Sequence, residues 1–366
     1  MNDAAWMRRA IAAAWQAGPE VRPNPRVGCV LVRDGVCVGE GFHARVGGPH
    51  AEVEALRVAG DAARGATAYV TLEPCNHHGR TGPCAEALLA AGVTRVVCAC
   101  RDPHPAARGG LDRLAAAGVV VEHGLLADEA RALLDVFLVN ALRGRAHLRL
   151  KLAASLDGRT AAADGSSRWI TGPDARARVH VQRAEADAIM VGSGTALADD
   201  PRLDVRGSAH RPDRAPLRVV LDRRLRLPPD TKLCDTTLAP TRVYTLAAHA
   251  EGEASTALRA RGVEVVGLAV EDDHAFARAA LVDLRARGQH AVYCEGGAGL
   301  AARLVEADLV DAFEIFLAPK LLGGGRGLLE GLVVPTIDAA RSLRLLAIEQ
   351  VGDDLHVRAE PRREED

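Results

Sequence analysis

One histidine and two cysteines in the first hundred residues have the makings of an open metal site. His50-Ala51-Glu52 is followed by Pro74-Cys75-Asn76-His77-His78-Gly79-Arg80-Thr81-Gly82-Pro83-Cys84. One imidazole and two thiols give zinc three protein ligands, which leaves a fourth position for water and brings that water's pKa to about 7. The Glu52 carboxylate, two residues past the histidine, can carry protons between the resulting hydroxide and a leaving amine. The bland alternative is a surface histidine and two small buried hydrophobes. Against it, each of the two cysteines directly follows a proline, and the residues between them are polar and include glycine, as in a loop that reaches around a site. Cys29, Cys37, Cys98, Cys100, Cys234 and Cys294, several of them in Val-rich runs, read as buried, reduced thiols.

Zinc nucleobase deaminases use this ligand set, with a glutamate that is not itself a ligand. Some of them act on polynucleotides, but composition argues against that here. The 366 residues are 48% hydrophobic and 26% charged with a formal net charge of −2, so no basic footprint is evident. Aromatic residues make up 3%, too few to build stacking platforms for single strands. Eight cysteines without a secretion signal point to the reducing cytoplasm. No apolar stretch is long enough to cross a membrane. The Met7-Arg8-Arg9-Ala10-Ile11-Ala12 stretch reads as an amphipathic first helix rather than as a leader.

The length favours two domains. In the first, Val27 to Val32 and Val36 to Gly39 flank Asp34-Gly35, a hairpin signal. A helix is expected to begin near His50, and the strand-like Ala68 to Leu72 delivers Glu73-Pro74-Cys75 at its end. Helical Ala85 to Ala91 follows Cys84, and Arg95 to Ala99 reads as the next strand. Both halves of the metal motif therefore sit where a loop enters a helix, where the helix dipoles favour bound hydroxide. After a helix over Asp128 to Leu142, the polar Arg143-Gly144-Arg145-Ala146 marks a boundary, giving domains 1–145 and 146–366. The charged end, Arg362-Arg363-Glu364-Glu365-Asp366, is expected to fray.

The second domain again alternates strands and helices, an α/β pattern. Strand-like Ala291 to Cys294 runs into Glu295-Gly296-Gly297-Ala298-Gly299 and then a helical Leu300 to Ala307. A strand, a glycine turn and a helix start present free backbone N–H groups to anions. The spacing is not the GxGxxG of dinucleotide folds, and glycines also make ordinary turns. Gly192-Ser193-Gly194-Thr195, after strand-like Ala188 to Val191, offers a second such turn, and the two together point to a phosphate-rich cofactor. Gly323-Gly324-Gly325 reads as a loop.

Along nearly its whole length the chain resembles the bifunctional deaminase/reductase family of riboflavin biosynthesis. The residues that carry the resemblance are Pro23-Asn24-Pro25, Val27-Gly28-Cys29, His50-Ala51-Glu52 and Thr71-Leu72-Glu73-Pro74-Cys75 in the first part. In the second they are Lys151 to Thr160, Trp169-Ile170-Thr171, Leu197-Ala198-Asp199-Asp200-Pro201 and Ala318-Pro319-Lys320-Leu321-Leu322-Gly323. The eight residues between Cys75 and Cys84 also fit this family, whereas generic cytidine deaminases have two.

The resemblance implies an N-terminal cytidine deaminase-like domain that removes one exocyclic amine from a phosphoribosylated diaminopyrimidinone. His50, Cys75 and Cys84 would hold the zinc, Glu52 would move the proton, and Asn24, His43, His77, Arg80 and Asp102 would form the ribose phosphate pocket. Where the family pattern has Asn, this chain has His104, and Ala106 to Gly110 is one residue short, which bears on the contacts of that pocket. The resemblance further implies a C-terminal dihydrofolate reductase-like domain that uses NADPH to reduce the ribosyl group to ribityl. Ala153, Trp169, Thr195, Asp199, Gly296, Gly297 and Gly299 would line the cofactor, and Arg223 or Arg224 would meet its 2′-phosphate. Ser167, Arg183, Leu203, Arg206 and Glu295 would face the substrate, with Lys151 polarising the sugar and Asp199 or Glu295 helping as an acid. A homodimer through the second domain would be natural.

Three other readings are weaker. A degenerate second domain serving as scaffold does not explain the presence of Lys151, Asp199 and Glu295. An RNA-binding or editing protein does not fit the charge. A purely structural zinc would need a fourth ligand, from His77 or His78. Lys151 as an edge-strand surface charge and Trp169 as a core aromatic are the ordinary alternatives for those two residues.

Overall fold

The computed structural model describes residues 2–362 apart from 78–81, 105–106, 208–210 and 212–213. The chain divides into two compact units, Met1–Gly144 and Arg145–Asp366. Helices and strands are numbered below in chain order.

The first unit runs α1 (Asp3–Ala14), β1 (Gly28–Arg33), β2 (Val36–Phe42), α2 (Ala51–Ala59), β3 (Thr67–Leu72), α3 (Cys84–Ala90), β4 (Arg95–Cys100), α4 (Gly110–Ala116), β5 (Val120–His123) and α5 (Ala127–Arg143). Asn2 caps α1 by accepting from Ala5 N, and its apolar face of Trp6, Met7, Ala10, Ile11 and Ala14 is buried. Asp34 and Gly35 both take positive φ, 53° and 73°, as a two-residue hairpin turn of the favoured hand requires. The sheet order is β2-β1-β3-β4-β5, with β1 antiparallel to both neighbours and β3, β4 and β5 parallel. Helix α1 lies so close to β1 that a Cβ at Gly28 would stand 2.0 Å from the Ala10 carbonyl oxygen. The same constraint at Gly39, 2.3 Å from Ala55 O, lets α2 settle on β2 and fixes the helix whose first turn carries Glu52.

The second unit contains β6 (His147–Ser155), α6 (Pro173–Glu185), β7 (Ala188–Gly192), α7 (Ser193–Asp199), β8 (Leu217–Leu221), β9 (Thr241–Leu246), α8 (Glu253–Ala260), β10 (Glu264–Leu268), α9 (Asp273–Ala286), β11 (Ala291–Cys294), α10 (Ala298–Glu306), β12 (Ala312–Ala318), β13 (Leu343–Val351) and β14 (Asp354–Pro361). They build a nine-stranded sheet in the order β10-β9-β8-β7-β11-β6-β12-β14-β13. The seven strands from β10 to β12 are parallel, and the last hairpin is antiparallel. Parallel strands covered on both faces need continuous apolar runs, and Leu217 to Leu221 is buried at every position. This is the α/β architecture that the dihydrofolate reductase resemblance implies. It also settles two ordinary alternatives: β6, with Lys151, lies inside the sheet between β11 and β12, and Trp169 is 63% exposed rather than a core residue.

Two carboxylates pin the starts of the central strands. Asp311 accepts Nη1 and Nη2 of Arg145 at 2.6 and 2.9 Å and also Leu148 N at 2.9 Å, which ties the start of β6 to that of β12. Both side chains are buried. Asp187 accepts His290 N and Ala291 N at 3.0 and 2.9 Å and holds the start of β11 beside β7. Removing one partner of a buried pair strands the other charge, at a cost of roughly 3–5 kcal/mol. Asp311→Ala is therefore expected to lower the unfolding free energy of the second unit by about that amount in urea titrations. A loss below about 1 kcal/mol would show that Arg145 finds another partner or water.

Candidate active sites

In the first unit the candidate metal ligands meet at two helix starts and one strand end. His50 is the N-cap of α2, Cys84 is the first residue of α3, and Cys75 lies in the loop that leaves β3. His50 turns Nδ1 to both sulfurs, 3.2 Å from Cys84 Sγ and 3.6 Å from Cys75 Sγ. The Cys84 backbone N–H points at Cys75 Sγ at 3.4 Å. The three donor atoms lie within 4.8 Å of one another, and a soft sulfur pair with one imidazole is a donor set that suits zinc. A hydrogen bond from Cys84, with His50 beside it, lowers the Cys75 thiol, while Cys84 is pushed up, so the pair places its negative charge on Cys75. Among the described residues no fourth protein ligand joins the cluster; His77 is exposed.

Glu52 sits in the first turn of α2 and is 3% exposed; burial pushes its carboxyl up to about 7. Beside the cluster, His43 stacks edge-on to His50 with ring centroids 5.3 Å apart. Its Nδ1 lies 2.8 Å from Pro49 O, which can only accept, so Nδ1 carries the proton. Burial lowers the pKa of His43 and favours the neutral ring, so Nε2 accepts from Asn24 Nδ2 at 3.0 Å. Asp102 is buried and accepts His104 N at 2.8 Å. Arg80 and Pro105-Ala106 lie outside the described residues.

In the second unit the strand ends meet where β11 enters between β7 and β6. Leu150 pairs with Cys294 and Cys294 with Met190, so Lys151 and Glu295 follow on adjacent strands. Glu295 takes a two-pronged grip from Arg183 on α6, at 2.5 and 3.0 Å, and the arginine's remaining Nη1 donates to Asp204 O at 2.8 Å. Burial raises the Glu295 carboxyl, but Arg183 outweighs it and the net shift is downward. Burial lowers the Lys151 ammonium against the pull of Glu295. Ala153 is two residues further along β6.

The two glycine turns also meet. Gly297 N donates to Thr195 Oγ1 at 3.0 Å, and Cβ atoms at Gly192 and Gly296 would stand 3.3 and 2.8 Å from Leu300. Both turns thus pack against one leucine of α10. Ser193 to Asp199 is a short helix, so the expected Gly192 to Thr195 turn is instead an N-cap at Gly192 and a helical first turn. Gly299 lies in the first turn of α10. Trp169 is covered on one face by Arg176 at 4.6 Å, its carbonyl accepts Lys320 Nζ at 2.7 Å, and Arg168 donates to Asp199 O at 3.0 Å. Ser167 is exposed, and Leu203 is buried. Arg206 pairs with Asp204 at 3.2 Å. Arg223 is bound to Asp273 and the Glu271 carbonyl, so a phosphate there would compete with a carboxylate. Arg226, unlisted among the sequence candidates, donates to Ser193 Oγ at 2.7 Å.

Comparison with known proteins places both halves. The RibD C-terminal domain model matches residues 146–357, and the zinc-binding region of cytidine and deoxycytidylate deaminases matches residues 1–100. The riboflavin biosynthesis protein RibD of Escherichia coli is 42% identical, covering 97% of this chain and 98% of its own. The chain belongs to the RibD family. The RibD of Haemophilus influenzae is 40% identical over 99% and 98% of the two chains. The solved RibD of Acinetobacter baumannii superposes with a TM-score of 0.82 at 40% identity, covering 99% of each chain. A deaminase/reductase of Thermotoga maritima gives 0.83 at 33% identity, covering 98% and 99%.

Two RibD-site supports were not singled out in the sequence. Glu73 is buried, and its carboxylate accepts Asp102 N, Gly109 N and Leu111 N at 3.1, 2.8 and 3.3 Å. It holds the start of α4 against the strand end that delivers Cys75. A Cβ at Gly110 would stand 1.7 Å from Pro74 O, so only glycine lets that approach happen. The one sequence signal for Glu73 is an acidic residue inside an otherwise apolar strand end. His50→Ala or Cys84→Ser is expected to lose equimolar zinc by elemental analysis after gel filtration, while Cys98→Ser retains it. Retention by both ligand variants would place the metal elsewhere.

Proposed function

We propose that this RibD-family chain carries out two consecutive steps: hydrolytic deamination of diaminohydroxyphosphoribosylaminopyrimidine, then NADPH-dependent reduction of 5-amino-6-(5-phosphoribosylamino)uracil to the ribityl compound. The solved Thermotoga maritima relative bears the names of both activities. The observation that carries the reading is the convergence of His50, Cys75 and Cys84 beside the buried Glu52. We assign deamination to residues 1–145 and reduction to 146–366.

In the first step one exocyclic C–N bond is exchanged for C–O, water is consumed and ammonia leaves. Zinc held by His50, Cys75 and Cys84 would supply a hydroxide at neutral pH. Glu52, with a carboxyl near 7, is suited to take a proton at one stage and return it to the departing nitrogen at the next. Asn24, fixed through His43 and Pro49, offers its amide oxygen to the substrate. His77, Arg80 and Asp102 are the further candidates for the ribose phosphate.

For the second step NADPH would supply the hydride, and the adjoining turns of Thr195, Gly296 and Gly297 with exposed Trp169 fit an extended dinucleotide. Ala153, Asp199, Gly299 and Arg223 complete the cofactor assignment. Lys151 donates the proton that balances hydride addition at the sugar C1′; a lowered pKa makes it the stronger acid. Glu295, kept ionised by Arg183, orients it. Arg183 and Arg206 are the cationic candidates for the substrate phosphate, each already held by a carboxylate, Glu295 and Asp204; Ser167 and Leu203 are the remaining substrate candidates.

We further propose a homo-oligomer of the second unit. An apolar groove of about 560 Å³ lined by Leu152, Phe313, Leu332 and Ile337 adjoins edge strand β13, where Leu345 and Ile348 are 59% and 60% exposed. All eight cysteines are free, in keeping with a cytoplasmic protein, and no described helix is long and apolar enough to cross a membrane.

Wild-type protein given the diaminopyrimidine substrate and NADPH is expected to release ammonia and oxidise NADPH. Glu52→Gln should lose both by at least about 10³-fold yet still reduce added deaminated intermediate, as expected for loss of a proton carrier. Ammonia without NADPH oxidation would make the second unit a scaffold; neither would refute the substrate. Light scattering should give about twice the 38.6 kDa chain mass, and Ile337→Asp should halve it. A wild-type monomer would remove the oligomer.

A further inference from the structure

The segment Asp200 to Arg206 holds two non-glycine residues in the left-handed region, Asp200 at φ 40° and Leu203 at φ 49°. Such a conformation persists only where the surroundings hold it. Three side chains grip its backbone at alternate residues. Arg183 donates to Asp204 O, and the Arg206 N–H donates to His180 Nδ1 at 3.2 Å. The third grip comes from beneath the segment, from Arg218 on β8.

Arg218 is fully buried, and among the described residues no carboxylate pairs with it. Its guanidinium instead donates to four backbone carbonyls. Nη1 reaches Arg202 O at 3.3 Å and Lys232 O at 3.1 Å, and Nη2 reaches Asp235 O at 2.7 Å and Ala239 O at 2.6 Å. Lys232 N in turn donates to Asp200 Oδ1 at 2.8 Å, so the loop after β8 and the segment form one body around the arginine. A buried cation with no carboxylate hydrogen-bonded to it, only the more distant Asp235 and Asp204 favouring its charge, is a poor way to stabilise a core. It is a good way to fix several carbonyls at once, because the planar fork presents its donors in set directions.

We propose that Arg218 is the positioning residue for the substrate face of the reductase site: by holding Arg202 O it sets Leu203 and Arg206 opposite Arg183 and Glu295. The inference rests on the reading of those residues as the substrate face. Arg218 touches neither substrate nor cofactor. Its loss therefore loosens substrate binding and leaves the hydride and proton donors in place.

The test uses full-length, zinc-loaded protein with Arg218→Lys and Arg218→Met. Steady-state reduction of added deaminated intermediate is measured alongside NADPH affinity by fluorescence, ammonia release from the first substrate, and thermal melting. For Arg218→Lys, which keeps the charge but loses the fork, KM for the intermediate is expected to rise about 10-fold, with kcat within about 3-fold and NADPH affinity and ammonia release unchanged. Arg218→Met is expected to raise KM further. An unchanged KM in Arg218→Lys, or a fall in kcat at unchanged KM, would overturn the proposal. So would failure of Arg218→Lys to fold, since the arginine would then serve the whole sheet and not the segment. If wild type itself does not reduce the intermediate, it is the proposed function that fails.

Discussion

The second unit depends on where a four-residue strand is inserted. After β6 the chain builds β7, β8, β9 and β10 outward, then returns to lay β11 between β6 and β7 before continuing to β12. That return makes the crevice in which ligands bind to open parallel sheets. It brings Lys151 from the first strand of the unit, Glu295 from the end of the inserted strand and the Gly192 cap from the end of β7 to the same edge of the sheet. Strand β11 is short enough to slip, and a one-residue slip would send Glu295 to the other face of the sheet. The Asp187 carboxylate prevents this by holding His290 N and Ala291 N, while Glu295 N donates to Met190 O at the far end. The register of β11 is therefore fixed at both of its ends.

The first unit uses the same device on a smaller scale. Parallel strands β3 and β4 end side by side, with Glu73 N bonded to Cys100 O, and the loop beyond supplies a metal ligand. The two sites then treat the same side chain in opposite ways. Glu52 is buried with no arginine fork on it, and burial, outweighing the pull of His50, lifts its carboxyl to about 7. Glu295 is also buried, but the Arg183 fork outweighs desolvation and holds it ionised. One environment leaves a carboxyl poised near neutrality; the other makes a fixed negative charge beside Lys151. The neighbouring Lys151 has its own pKa lowered by the same burial.

What was legible in the sequence is what neighbouring residues determine. The Asp34-Gly35 hairpin, the helix starts at His50 and Cys84, the glycine cap before α10 and the ligand trio all follow from local residue types. The turn expected over Gly192 to Thr195 is shorter than read: only Gly192 caps, and Ser193 to Asp199 is already a seven-residue helix whose Gly-Ser-Gly start mimics a loop. Hidden from the sequence were the supports made across long separations. Glu73 reaches donors 29 to 38 residues on, and Arg145 meets Asp311 166 residues away. Neither partner carries a local pattern, since a lone acid in a strand reads like any surface charge until topology places its donors. Arg223 shows the converse. Its position after β8 suggested a phosphate contact, but a position does not reveal that Asp273, fifty residues later, lies within its reach.

Eight free thiols in one chain raise the question of how a metal finds two of them. Burial supplies the answer. Cys29 and Cys98 are raised well above the ordinary thiol range by desolvation, and Cys294 is pushed up to about 12, so none offers a thiolate at neutral pH. Cys75 is the exception, lowered because Cys84 and His50 donate toward it. The acidified thiol thus stands 3.6 Å from an imidazole nitrogen, the donor pair that a soft cation such as zinc favours. Cys84 stands at the first residue of α3 and Cys75 just beyond β3, so strand end and helix start bring one cysteine pair together beside His50.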